Sequence, residues 1–336
     1  MIFDLPHIWA GIIAFAILAY VALDGMDLGI GLIFPFLPGR DRRDVMMNTV
    51  APVWDGNETW LVLGGGGLFA AFPLAYAIIA PAVYPPLIAM LLGLIFRGVA
   101  FEFRFKAETD PGKIWWSYAF AIGSFTAAFC QGLIVGALVQ GIEVEGRNYA
   151  GGWFDWLTPF TIFCGFAVVS AYSLLGCAWL ILKTEGSIQF DMFRLFPVTL
   201  ALTMTSLAIL SIWMLIDHPD VIDRWFASDA IYFTLLVPIF AGAAGAGLVW
   251  CWYEQNENLP YPLALSLFVI SFIGLAISLY PNLIPPSVTI YDAAAPDESL
   301  SFLLWGAAFL IPIILAYTIY SYWVFRGKVR VGDGYH

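Results

Sequence analysis

Long apolar runs alternate with short polar stretches along the whole chain. Each run suffices to cross a bilayer core, which takes about 20 residues of helix. The pattern predicts nine spans, over roughly 8–34, 48–72, 75–105, 117–141, 157–182, 195–216, 230–253, 262–283 and 301–325. Several exceed the minimum and are expected to tilt or to run past the membrane. Proline and glycine punctuate the connections, as at Pro35, Pro38, Pro111, Gly112, Pro219, Pro260, Pro262, Pro285 and Pro286. The weakest boundary lies between the second and third runs. There FPLAYAIIAPAVYPP offers little polarity for a turn, so that loop must be very short. No internal repeat and no second domain are visible. The expectation is a single integral membrane domain over 1–336, all-α, built as two four-helix bundles plus one peripheral helix.

The basic residues are not spread evenly over the loops. Arg40, Arg42 and Arg43 follow the first span, Arg104, Lys106 and Lys113 the third, Lys183 and Arg194 the fifth, and Arg326, Lys328 and Arg330 the ninth. The alternate loops hold only Arg147 and Arg224 and are acidic, with Glu143, Glu145, Asp217, Asp220, Asp223, Asp292, Asp297 and Glu298. Cytoplasmic loops carry the excess of Lys and Arg. The N-terminus is therefore expected outside and the C-terminus in the cytoplasm, which needs an odd number of spans. The loop after the seventh span, YEQNENLP, has no basic residue and does not bear on this.

Composition narrows the class further. Of 336 residues, 61% are hydrophobic and 12% charged, against roughly 45–50% and about 25% in soluble domains. A soluble globule could not hide that much apolar surface. The 17% aromatic content excludes disorder. The net charge of −11 argues against nucleic acid as a partner. MIFDLPHIWAG carries no Lys or Arg, so it lacks the basic region of a cleaved signal, and the first run is expected to stay as a helix.

Apart from Arg104 at the very end of the third, six charged side chains fall inside the first three predicted spans. Asp24 and Asp27 lie in VALDGMDLGIG, Asp55 and Glu58 in PVWDGNETW, and Arg97 and Glu102 in IFRGVAFEFR. Each charge at mid-bilayer costs about 2.5–3.5 kcal/mol, so six facing lipid would cost on the order of 15 kcal/mol. They must face protein, water or one another. The topology puts all six in the cytoplasmic half. Asp24 and Asp27 share a helix face, as do Asp55 and Glu58. Arg97 and Glu102 are about 140° apart round the helix and should find different partners. One reading is a salt-bridge cluster that holds three helices together. The favoured reading is a proton path from the cytoplasm, because five acids cannot all be ionised and paired by one arginine. Asp55 is the leading candidate in it.

Other signals point to packing. Gly25-x-x-x-Gly29, Gly64–Gly67 and AGAAGAG around Gly245 let helices approach closely. Trp115, Trp116, Trp153, Trp156 and Trp323 sit near span ends, as an interfacial belt should. Trp54 and Trp60 instead flank the acids and are expected to line the same interface. Cys130, Cys164, Cys177 and Cys251 lie in apolar runs without C-x-x-C spacing and read as buried thiols. The three histidines, His7, His218 and His336, all fall outside mid-membrane positions. No haem or metal is expected on this chain itself, so any redox cofactor belongs to a partner.

DGMDLGIG (24–31), APVWDGNETWLVLGGGGLFAAFP (51–73), LIFRGVAFEFR (94–104), YPNLIPPS (280–287) and LWGAAFLIPIILAYTIYSYWVF together resemble subunit II of the cytochrome bd-type quinol oxidases. The resemblance covers essentially the whole chain. The compact length and the GYH ending resemble the cyanide-insensitive branch. The resemblance implies a multi-pass subunit of a respiratory complex in the bacterial plasma (inner) membrane. Its pseudosymmetric partner, subunit I, would hold the haems, b and d or b-type variants, oxidise quinol and reduce O2 to water. Protons would come from the cytoplasm without pumping. Subunit II in this family binds no haem. The acid of the WDGN motif, here Asp55, is implied in a proton pathway, and Trp60 matches a residue near a proposed oxygen inlet. Some members hold a structural quinone or lipid, and a small accessory subunit is a further expected partner. Glu58 and Thr59 depart from the family pattern of Gln and an apolar residue. Glu58 is then either an added proton-binding group or another partner for Arg97.

Two other classes fit part of the pattern. A proton-coupled secondary transporter would use buried acids and glycine-rich helices, although the charges occupy only one third of the chain and no repeat is seen. A purely structural anchor would use the acids for salt bridges alone.

Overall fold

The computed structural model describes residues 4–227 and 231–333. The GYH ending, with His336, lies outside the described residues, as does the side chain of Asp220.

Helix α1 (Leu5–Ile33) starts at Asp4, whose carboxylate accepts from the His7 N–H, with Pro6 in the first turn. A missing N–H costs nothing there, because first-turn amides have no helical acceptor. A polar helix, α2 (Arg40–Asn48), and a turned segment through Val53 lead into α3 (Trp54–Ala71). Phe72 alone separates α3 from α4 (Pro73–Ala82), with a bend of 120°. Val83 alone separates α4 from α5 (Tyr84–Lys106). The predicted second span, 48–72, therefore starts later, and the predicted third, 75–105, is broken at Val83 and crosses only as α5. Pro81 inside α4 and the pair Pro85–Pro86 opening α5 are the cause, since proline cannot continue the helical ladder and restricts the residue before it. At 18 residues, α3 is about 27 Å long, slightly short of a core of about 30 Å.

The later spans are α6 (Asp110–Gln140), α7 (Pro159–Lys183) and α8 (Ser187–Asp217). The short α9 (Pro219–Trp225) and α10 (Ile231–Thr234) precede α11 (Leu236–Tyr253) and α12 (Pro260–Leu279). A single turn, α13 (Ile290–Ala293), precedes the last helix, α14 (Asp297–Val324). Among the described residues, eight helices are long and apolar enough to cross a membrane, and the bent α3–α4 pair reaches that length and apolarity only with its two halves together, as a broken span or a re-entrant loop. The all-α reading holds, with two small antiparallel hairpins outside the helices. They pair β1 (Val144–Glu145) with β2 (Asn148–Tyr149), and β3 (Asn282–Ile284) with β4 (Val288–Thr289).

The packing centres on α1, α6 and α7, which touch one another pairwise. Helices α3 and α5 join this group through α1 and α6, α8 and α12 pack against α7, and α11 packs on α12 and α8. Helix α14 is peripheral and buries only Leu300 and Ala307. Glycines set the closest crossings. A Cβ on Gly29 of α1 would collide with the Tyr172 carbonyl and come within 2.8 Å of the Gly176 nitrogen on α7. A Cβ on Gly93 of α5 would lie 2.7 Å from the Gly123 carbonyl on α6. Backbones meet directly at both places, as small residues allow in membranes. The AGAAGAG stretch packs more loosely, with Gly245 against Met204 and Gly242 open. All four cysteines are buried and free.

Side-chain cross-links define the two ends of the bundle. At one end Arg40 pairs with Asp110, Arg42 with Asp191, Arg104 with Asp44 and Arg330 with Glu185. Lys183 donates to the Phe325 and Gly327 carbonyls, strapping the C-terminal tail there. The Lys328–Glu257 pair brings the loop after α11 to this same basic end. At the opposite end Asp4 and His7 meet Tyr280 and Tyr291, and Trp9 donates to the Leu300 carbonyl. The start of α1 and the C-terminal tail thus lie at opposite ends of the molecule.

Candidate functional site

The six charges of the first three predicted spans separate into two sets. Four lie in the protein core. Arg97, on α5, is fully buried and donates to Asp24 of α1, which is also fully buried, at 2.6 Å. Its other terminal nitrogen meets Glu58 of α3, whose side chain keeps 27% of its surface exposed. One guanidinium therefore joins three helices. Guanidinium geometry suits this, because the planar fork serves two carboxylates at once. Glu58 is thereby the second partner of Arg97. Asp27, fully buried, turns from Arg97 to Asn57 of α3, whose amide nitrogen lies 2.9 Å from its Oδ2. One oxygen of each aspartate, Asp24 Oδ2 and Asp27 Oδ1, has no hydrogen-bond partner within the protein.

The other two acids are not buried. Asp55, in the first turn of α3, is exposed, and Glu102, late in α5, is 54% exposed and pairs with Lys106 one turn on. Both line a cavity of about 380 Å3 at the basic end, between the start of α3, the end of α5 and α14. Its other walls include Trp54, Asn57, Thr59, Tyr317 and Tyr322. The six charges thus do not form one cluster: Asp55 and Glu102 face an opening at the basic end rather than Arg97. As expected, Arg97 and Glu102 find different partners.

Trp54 and Trp60 do not share an interface, contrary to expectation. Trp54 stacks on Phe101 at 5.1 Å, covers Gly98 and lines the cavity. Trp60 is 1% exposed, in a cluster with Ala16 and Tyr20 of α1, its ring edge-on to Phe15. The two indoles lie six residues apart, which turns the helix by about 600° and sends them to different neighbours.

Several polar residues that join this region were not singled out from the sequence. Asn57 is one, and Tyr322 of α14, whose hydroxyl donates to the Asn57 carbonyl oxygen at 3.0 Å, is another. A third group runs across the core, where Gln131 of α6 donates to the Tyr20 hydroxyl at 2.7 Å and accepts from Tyr172 of α7 at 2.6 Å. At the basic end Arg104, 2% exposed, is held by Asp44 and Ser117 and lies over the Phe34 ring. At the opposite end Asp4 accepts from Tyr291 at 2.6 Å and from His7, and these bonds hold its carboxyl down at about 2. Glu257 is likewise lowered, chiefly by Lys328.

Among the described residues no group of three or more His, Cys, Asp or Glu side chains converges on a metal site. His7 is tied to Asp4 at the mouth of α1, and His218 closes the end of α8, so neither projects into the core.

Residues 5–325 match the family described as cytochrome bd terminal oxidase subunit II. Cytochrome bd-I ubiquinol oxidase subunit 2 of Escherichia coli is 30% identical over 369 residues, covering 98% of this chain and 96% of that protein. Cytochrome bd ubiquinol oxidase subunit 2 of Bacillus subtilis is 26% identical, covering 97% of each. The bd oxidase structure from Geobacillus thermodenitrificans superposes with a TM-score of 0.75 at 16% identity, over 95% of this chain and 98% of that one, a likeness of fold. The chain therefore belongs to the cytochrome bd terminal oxidase subunit II family, and is a multi-pass membrane subunit of a bacterial respiratory oxidase.

Proposed function

We propose that this chain scaffolds the haem-bearing subunit I of a quinol:oxygen oxidoreductase and supplies the path by which cytoplasmic protons reach the site of O2 reduction. The observation that carries the reading is the polar cavity at the basic end. It holds two exposed carboxylates, Asp55 and Glu102, and meets the buried Asp27 through Asn57. The excess of Lys and Arg at this end makes it the cytoplasmic side. Carboxylates there can collect protons from water. The buried acids behind them mark the usual kind of route through a membrane protein.

The ion cluster and the cavity divide the labour. Asp24, Arg97 and Glu58 tie α1, α3 and α5 together. Asp55 and Glu102 face the water side, and Asp27 stands between the two. Haems b and d, or b-type variants, belong on subunit I, and the reduction of O2 with protons and quinol-derived electrons is carried out there.

Helix α3 also offers the docking face for subunit I. Asp55, Thr59, Val62, Gly66 and Phe69 recur along one exposed side of it. Polar groups inside a span avoid lipid, and Gly65 and Gly66, with nothing within 4 Å, leave room for a close partner helix. Trp60 lies inside the chain, so an oxygen route here would follow the α1–α3 seam rather than this face.

The direct test is Asp55→Asn in the purified complex, with turnover measured per haem. The expected result is at least a tenfold fall in quinol oxidation with normal haem content. Wild-type turnover per haem would remove Asp55 from the path.

A further inference from the structure

Asn57 stands where the cavity ends and the buried acids begin. It lines the cavity but is 1% exposed, and its side chain has a partner on each side. On the inner side Nδ2 donates to Asp27 Oδ2 at 2.9 Å and reaches the Leu23 carbonyl at 3.4 Å. On the outer side Oδ1 accepts from the Tyr322 hydroxyl at 3.0 Å. The Leu23 carbonyl can only accept, which sets the NH2 group inward. In this orientation the amide donates to Asp27 and so fits its carboxylate form. When the proton sits on Oδ2, the oxygen that faces the amide, that O–H needs an acceptor, which the amide supplies only by turning over. Tyr322 is the one outer partner that suits both positions, because a phenol hydroxyl donates to Oδ1 and equally accepts from Nδ2.

We propose that Asn57 is a turning amide gate between the cytoplasmic cavity and Asp27, and that Tyr322 is the positioning residue that partners the amide in both orientations. The inference rests on the proton-uptake reading above. The turn breaks the Asn57–Asp27 bond and puts the amide oxygen beside Oδ2 in place of the N–H donor. A hydronium ion in the cavity gives its proton to Oδ2 and leaves as water, the Asp27 O–H donates to the turned Asn57 oxygen, and the NH2 group donates to the Tyr322 oxygen. The amide gains and loses no proton, so charge changes only at Asp27. The charged and titratable groups facing Asp27 are Asp24 on its own helix, Glu58 of α3, Arg97 of α5, Tyr261 of α12 and Tyr322 of α14. Only Tyr322 of these lines the cavity.

The test compares Tyr322→Phe, Asn57→Leu and Asp55→Asn in the whole purified oxidase. For each, kcat per haem and KM for quinol are followed across pH. Tyr322→Phe keeps the ring and removes the hydroxyl that partners the amide. Loss of one such hydrogen bond is expected to lower kcat about three- to tenfold with KM unchanged. A slower first transfer becomes limiting where protons are scarcer, so the alkaline limb of the kcat profile moves to lower pH. Asn57→Leu, which removes the amide altogether, is expected to move the limb at least as far. A lowered kcat with an unmoved limb in Tyr322→Phe would assign Tyr322 to packing and overturn the proposal, as would wild-type kcat in either variant. If those two match wild type while Asp55→Asn loses turnover, the gate fails and the proton-uptake reading stands. If Asp55→Asn also matches wild type, both fail.

Discussion

The sharpest energetic consequence concerns Arg97. Its guanidinium is fully buried and joins Asp24, also fully buried, and Glu58. Arg97→Leu removes the cation and strands two carboxylates in the core. Removing one partner of a buried pair costs about 3–5 kcal/mol, most of it the desolvation of the charge left behind. At about 1.4 kcal/mol per tenfold, the folded population relative to the unfolded should fall on the order of a hundred- to several-thousand-fold. Arg97→Leu combined with Asp24→Leu should do less harm than the single costs summed, because each removes the reason for the other's penalty, with a coupling of about 0.5–3 kcal/mol. Glu102→Gln is the control. Its exposed pair with Lys106 is worth about 0–1 kcal/mol. The assay is a denaturing-detergent titration of the purified complex, followed by tryptophan fluorescence and by haem retention. A wild-type midpoint for Arg97→Leu, or strict additivity in the double variant, would refute the argument that this ion cluster holds α1, α3 and α5 together.

Two further outcomes follow from the packing and from the outer end of the bundle. Gly29→Ala should sharply reduce the yield of assembled complex and lower its thermal midpoint, because the added methyl meets α7 backbone; Gly306→Ala, with nothing within 4 Å, should not. An unchanged midpoint for Gly29→Ala would mean that the α1–α7 crossing is not tight. The Asp4 carboxyl, held at about 2 by Tyr291 and His7, lies below its unfolded value near 3.9. The stability it contributes is therefore present above about pH 4 and lost as pH falls through 2. Tyr291→Phe should accordingly lower the melting temperature slightly at pH 7 and converge with wild type near pH 2. A gap that widens on acidification would contradict this assignment.

Much of this arrangement was legible in the apolar pattern, because a span must bury its backbone and its length is set by the bilayer. The broken third span was not. FPLAYAIIAPAVYPP is apolar on both sides of Val83, and a bend leaves no mark on hydropathy, although Pro81, Pro85 and Pro86 carried the signal. The six charges were visible for what they cost in lipid, but their separation into two environments was not. Asp55 and Glu58 are three residues apart, yet one lies at the open start of α3 and the other reaches Arg97. That difference depends on α5, which brings Arg97 to Glu58 from 39 residues away, and Tyr322 reaches Asn57 from 265 residues away. Neutral Asn57 and Tyr322 could not stand out, since a lone amide or phenol in a span costs far less than a charge. The Tyr20–Gln131–Tyr172 chain was hidden for the same reason.

The central claim is that protons enter through the cavity beside Asp55. The most direct measurement is proton uptake during a single turnover of the reconstituted oxidase, with a pH-sensitive dye on the side that carries the C-terminal tail. The account predicts that dye-detected uptake slows at least tenfold in Asp55→Asn while haem reduction by quinol keeps its wild-type rate. Uptake at the wild-type rate on that side, or uptake from the opposite side, would contradict it.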